Sequence, residues 1–191
     1  MFNNGLSQMI MIMKFQPYTT MKKTLLSFLL CMLAVVGNAQ TSICGVDFGA
    51  SYSTAERILE NKFGDKEYFL SDKTRIVFND KIYAGRMWTR MQFLFQSDGY
   101  QQYFNRCILV KDCKTLTEAK EVRDAIKKQM EEKYFIMDFT NETTKLKFYL
   151  GGMSPVDSSM YGFCIDIIKY DSGEYAARLD YGPYDYVKEE L

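Results

Sequence analysis

The chain is expected to fold as α+β: two layers, with two helices on one face of an antiparallel sheet of about six strands. Three observations predict it. Two stretches carry apolar residues at helical spacing behind capping residues, several others alternate with period two, and Asp-Gly or Ser-Gly turns separate the alternating stretches.

The first element is a leader. Met21-Lys22-Lys23 is a basic start, Leu25 to Val36 an apolar run, and Gly37-Asn38-Ala39 a small-residue cleavage context, so residues 21–39 read as a secretory signal peptide. The twelve-residue apolar run would span only about 18 Å as a helix, against about 30 Å of hydrocarbon, so no stable membrane anchor is expected after cleavage. Residues 1–20 precede a complete signal and read as an extension from a start codon called too early. Residues 40–191 are expected to form a single α+β domain, exported to the periplasm or the exterior.

Cys44 to Gly49 reads as a short strand. Ser53 with Glu56 forms a capping box, and Ala55, Ile58, Leu59 and Phe63 recur at helical spacing, which predicts a helix over 54–63 stopped by Gly64. Arg75 to Phe78 reads as a strand ending in a turn at Asn79-Asp80-Lys81. The run 82–96 alternates, with Met87, Thr89, Met91, Phe93 and Phe95 assigned to the core and Trp88 to the opposite face. Ser97-Asp98-Gly99 turns the chain into a strand at Tyr103 to Val110.

Thr115 with Glu118 opens the stronger helix, about 117–133. Its stripe is Ala119, Val122, Ile126 and Met130, and opposite charges at (i, i+4) mark a solvated face. A strand at 135–139 running irregularly into 145–150, then strands at 161–170 and 174–181, complete the chain. The order helix, strands, helix, strands reads as a degenerate αβββ repeat.

Composition removes several functions. There is no histidine, so Ser-His-Asp and Cys-His nucleophile activation and imidazole metal ligation are excluded. Of 24 Lys and Arg, three (Lys14, Lys22, Lys23) precede residue 40 while all 24 acids follow it, leaving a net charge near −3. Basic and acidic residues interleave without a basic footprint, which argues against nucleic acid. No catalytic, cofactor or metal motif is present: Asp157, Asp171 and Glu174 lack calcium-loop spacing, and a carboxylate pair such as Asp166 with Asp180, facing across the last hairpin, would be the minimum for glycoside-type acid/base work.

Four cysteines follow the leader: Cys44, Cys107, Cys113 and Cys164. An even count in an oxidising compartment suggests disulfides, with Cys44–Cys113 and Cys107–Cys164 weighed against unpaired buried thiols. Tyr181, Tyr184 and Tyr186 gather around Gly182-Pro183 and form the candidate binding surface.

The string Gly45 to Gly64, with the Ala39-Gln40 cleavage context, resembles the opening of small exported Bacteroidota proteins of unknown function. Its strand-turn-helix entry is similar to that of outer-membrane assembly lipoproteins and β-lactamase-inhibitor-like domains. That resemblance implies a non-enzymatic helix-on-sheet binding fold. Leu29 and Leu30 stand before Cys31 where those lipoproteins have a lipobox. The expected function is therefore a non-catalytic exported binding or envelope-accessory domain, without cofactor, whose partner is an envelope protein or glycan. The alternatives are a carboxylate-dependent hydrolase acting on polysaccharide and an apolar small-molecule carrier.

Overall fold

A two-residue turn lies near the start of the described part of the chain. In the computed structural model, which describes residues 41–97 and 99–184, Cys44 and Gly45 take φ of 58° and 88° between β1 (Ser42–Ile43) and β2 (Val46–Asp47). Two successive positive φ values are what the I′ hairpin turn uses. Cys44 is thus a turn residue and not the start of the strand expected at 44–49. The expected leader at 21–39 and Tyr186 lie outside the described residues.

Helix α1 (Tyr52–Phe63) starts two residues earlier than the sequence suggests. Ser51 caps it, accepting from the Thr54 N–H at 3.4 Å, while Glu56 pairs with Lys66 instead of reaching back to the cap. Gly64, at φ 78°, ends it by donating to the Glu60 carbonyl.

A meander of β3 (Arg75–Tyr83), β4 (Arg86–Ser97) and β5 (Gln102–Cys113) follows. Its first turn is at Ala84-Gly85, both at positive φ, and β3 runs straight through the Asn79–Lys81 turn that the sequence suggests. Asp80 sits at φ 51° in mid-strand, near Thr89 of β4, whose hydroxyl donates to the Val110 carbonyl and accepts from the Asp112 N–H. Alternation changes phase here. Trp88 is buried and Met87 exposed, while Met91, Phe93 and Phe95 keep the expected side.

Helix α2 (Leu116–Glu131) is capped by Thr115 as expected, with Glu118 reaching back one residue beyond the cap. The Thr115 hydroxyl accepts from Glu118 N–H at 3.1 Å, and the Glu118 carboxylate accepts from Lys114 N–H at 2.8 Å. The second meander is β6 (Ile136–Thr140), β7 (Lys147–Gly151), β8 (Phe163–Lys169) and β9 (Tyr175–Tyr181). The stretch read as one irregular strand is a hairpin, because the Asn141 side chain accepts from Thr143 and Thr144 N–H and folds the chain back.

The protein is α+β; its described residues form two helices, a seven-stranded antiparallel sheet ordered β3-β4-β5-β9-β8-β7-β6 and the separate β1–β2 pair. The two meanders meet through their last strands. Phe78, Phe93, Leu109, Leu179 and Ile165 share one sheet face by register and form one buried cluster with Leu59 of α1 and Ile126 of α2.

Candidate binding sites on the two faces of the sheet

The face turned away from the helices carries a row that crosses all seven strands: Val77, Gln92, Ile108, Asp180, Cys164, Leu150 and Met137 lie opposite one another in sequence. Beside this row stand Arg106, Arg178 and Asp166. Arg106 of β5 grips Asp180 of β9 with Nε and Nη2 at 2.9 and 2.7 Å. Arg178 grips Asp166 of β8 the same way, at 2.9 and 2.6 Å, and its Nη1 comes within 4.0 Å of Asp180. The four form a ladder across β5, β9 and β8. Ile108, Leu94 and Leu150, all half-buried, flank it.

Two-pronged guanidinium–carboxylate pairs are strong and directional. The bonds raise the basicity of Arg106 and Arg178, chiefly through Asp180 and Asp166 respectively. Sequence reasoning placed Asp166 and Asp180 as a carboxylate pair, and the sheet does bring them together. It also gives each carboxylate two N–H donors from an arginine, which occupies the oxygens that acid/base work on a sugar would use. Cys164, beside them, has its thiol pushed up to about 12 by burial and by Asp166.

The aromatic tail is not the exposed surface expected from the sequence. Tyr181 and Tyr184 are 4% and 1% exposed. Tyr184 stands edge-on to Phe48 with ring centres 4.6 Å apart, its hydroxyl donates to the Gly162 carbonyl, and its N–H donates to the Asn105 carbonyl at 3.0 Å. That carbonyl is free for it because Asn105 is the extra residue of a β-bulge: Leu94 faces Arg106 while Phe95 faces Phe104. Two apolar periods therefore end in the core, and the third tyrosine of the candidate surface, Tyr186, falls beyond the described residues.

The four cysteines among the described residues are unpaired. Cys107 and Cys113 are six residues apart on an uninterrupted β5, about 20 Å along the strand and far beyond bridging range. Cys107 lies opposite Tyr181 and Cys164 opposite Asp180, neighbouring positions on β9, so the two thiols project from opposite faces of the sheet. The weighed Cys107–Cys164 bridge does not fit this register. Cys44 sits near Tyr83 and Cys107, and burial pushes its thiol up to about 12. Among the described residues no group of three or more Cys, Asp or Glu is placed to hold a metal ion.

A second feature lies on the helix side, between helix and sheet where the carrier alternative puts its pocket, though sequence reasoning assigned it no lining residues. A cleft of about 230 Å³ opens between the C-terminal half of α2 and the sheet, walled by Trp88, Leu109, Ile126, Met130, Leu179 and Tyr181. At its mouth the Gln129 side chain donates to the Ala84 carbonyl at 3.0 Å, tying α2 to the β3–β4 turn. The phase change at Thr89 is what turns Trp88 inward. The available signal was the chain's single tryptophan, but alternation alone assigned it to the other face.

No helix among the described residues is long and apolar enough to cross a membrane. No protein-family model, curated protein or solved structure matches the chain.

Proposed function

We propose that the protein is a non-catalytic binding module, exported to the cell envelope, that holds a protein partner against the helix-free face of its sheet. The Arg106–Asp180–Arg178–Asp166 ladder carries this reading. It sets pre-ordered arginine and carboxylate groups among the half-buried aliphatics Ile108, Leu94 and Leu150. Arginines beside apolar side chains are the composition of an interface centre. Bidentate pairing of both carboxylates speaks against the hydrolase alternative, which needs one of them protonated and the other free. The two helix-led meanders, of three and four strands, are read as a degenerate repeat joined at β5 and β9.

Capture from envelope extracts tests the reading. Ile108→Asp, on the exposed side of β5, should abolish recovery of a partner retained by the parent protein while circular dichroism stays unchanged. Steady hydrolysis of a polysaccharide panel, lost in a folded Asp166→Asn or Asp180→Asn variant, would replace the binding module with an enzyme.

A further inference from the structure

The cleft on the helix side is bounded by α2, the β3–β4 turn and strands β4, β5 and β9. Its size sets what it can take. An apolar cavity of about 150 Å³ holds benzene, so about 230 Å³ holds a molecule of roughly two fused rings, short of the drug-sized range. Its walls are aliphatic, thioether and aromatic, with Tyr83 and Tyr134 bringing phenol groups beside that of Tyr181. The rim has Glu132 and Lys133, one charge of each sign, and so favours no net ligand charge.

The polar groups narrow the choice further. Trp88 Nε1–H already donates to the Tyr83 carbonyl at 3.1 Å, and the Gln129 amide donates to Ala84. Among the described residues the Tyr181 hydroxyl, on a residue 4% exposed, donates to the Met130 thioether sulfur at 3.5 Å. A thioether is a weak acceptor, and a buried hydroxyl ordinarily finds a better one. We infer that the cleft between α2 and the sheet binds a small neutral apolar molecule, about two fused rings in size, that offers one hydrogen-bond acceptor to the Tyr181 hydroxyl. Tyr181 holds its proton well above the usual tyrosine range because it is buried, so the hydroxyl remains a donor. The site lies on the opposite side of the sheet from the ion ladder and stands independently of it.

The probes are 1-indanone, which has the acceptor, and indane, which lacks it, titrated into the full chain. Calorimetry gives the affinities, and the one indole N–H cross-peak, from Trp88, reports occupancy. Both should bind saturably, with indanone favoured about threefold to tenfold, the worth of one hydrogen bond. Tyr181→Phe should erase that preference and leave indane affinity unchanged. Leu179→Phe should fill the cleft and weaken both at least tenfold, with Ile126→Phe in its place if that variant does not fold. Ile108→Asp should alter neither. Absence of saturable binding overturns the inference, as does affinity indifferent to the filling variants or an indanone preference that is absent or survives Tyr181→Phe.

Discussion

Asp180 is 5% exposed, and a carboxylate so placed is tolerated because Arg106 meets it with two N–H groups and Arg178 stands behind. The thiols make the opposite case, since burial there favours the neutral form. Cys44 and Cys164 are raised from 9.0 to about 12, and Cys107 and Cys113 are raised as well, burial being the largest cause in each. In the unfolded chain these thiols lose protons first as pH rises. Their contribution is therefore complete below pH 9.0 and is lost as pH climbs toward about 12. Each should remove about 1.4 kcal/mol of stability per pH unit inside that window. Urea midpoints in reducing buffer should fall steeply above pH 9.0, and less steeply for Cys44→Ser/Cys164→Ser. Equal slopes in the two proteins would show that these thiols ionise alike in both states.

At the scale of elements, local chemistry decided what could be read from the sequence. The α2 cap was legible because its bonds are local: the Thr115 hydroxyl accepts from the Glu118 N–H, and the Glu118 carboxylate accepts from the Lys114 N–H. The α1 cap was misplaced because Ser51 and Ser53 both fit and the choice depends on Glu56 being drawn to Lys66, ten residues on. Trp88 was misassigned because a left-handed Asp80 in the neighbouring strand is invisible to an alternation rule. Tyr184 was read as surface because its partners, Phe48 and Asn105, are distant in sequence. Replacing it exposes its role: Tyr184→Ala should cost about 3–5 kcal/mol, as for other buried aromatics cut to alanine. Gly182→Ala should also destabilise, since Gly182 is at φ 90° and a Cβ would meet the Asn105 carbonyl oxygen. Thermal melts check both, and melting temperatures matching the parent protein would return the tyrosine to the surface.

For the whole molecule, the class and most strands follow from periodicity, but the sheet order does not. Asp-Gly and Ser-Gly signals join neighbours in sequence; the central pairing of β5 with β9 joins residues 74 apart, as Arg106 and Asp180 are. The uncovered-face ladder was half legible, as a carboxylate pair whose arginines were not considered, and the cleft only as the helix–sheet pocket of the carrier alternative, its lining hidden because it needs both the phase change and the position of α2. The β5–β9 pairing also dictates a timetable. A chain emerging from its N-terminus produces β9 last of all the strands, and until then β5 and β8 each present an open edge and the helix-side apolar surface lies divided. Closure of the seven-stranded sheet must therefore wait for β9. A fragment ending at Tyr170, which retains both helices and eight strands, should accordingly fail to give a folded monomer by circular dichroism and sedimentation. A cooperative melt from that fragment would show that the first meander and its helix close without their last partner.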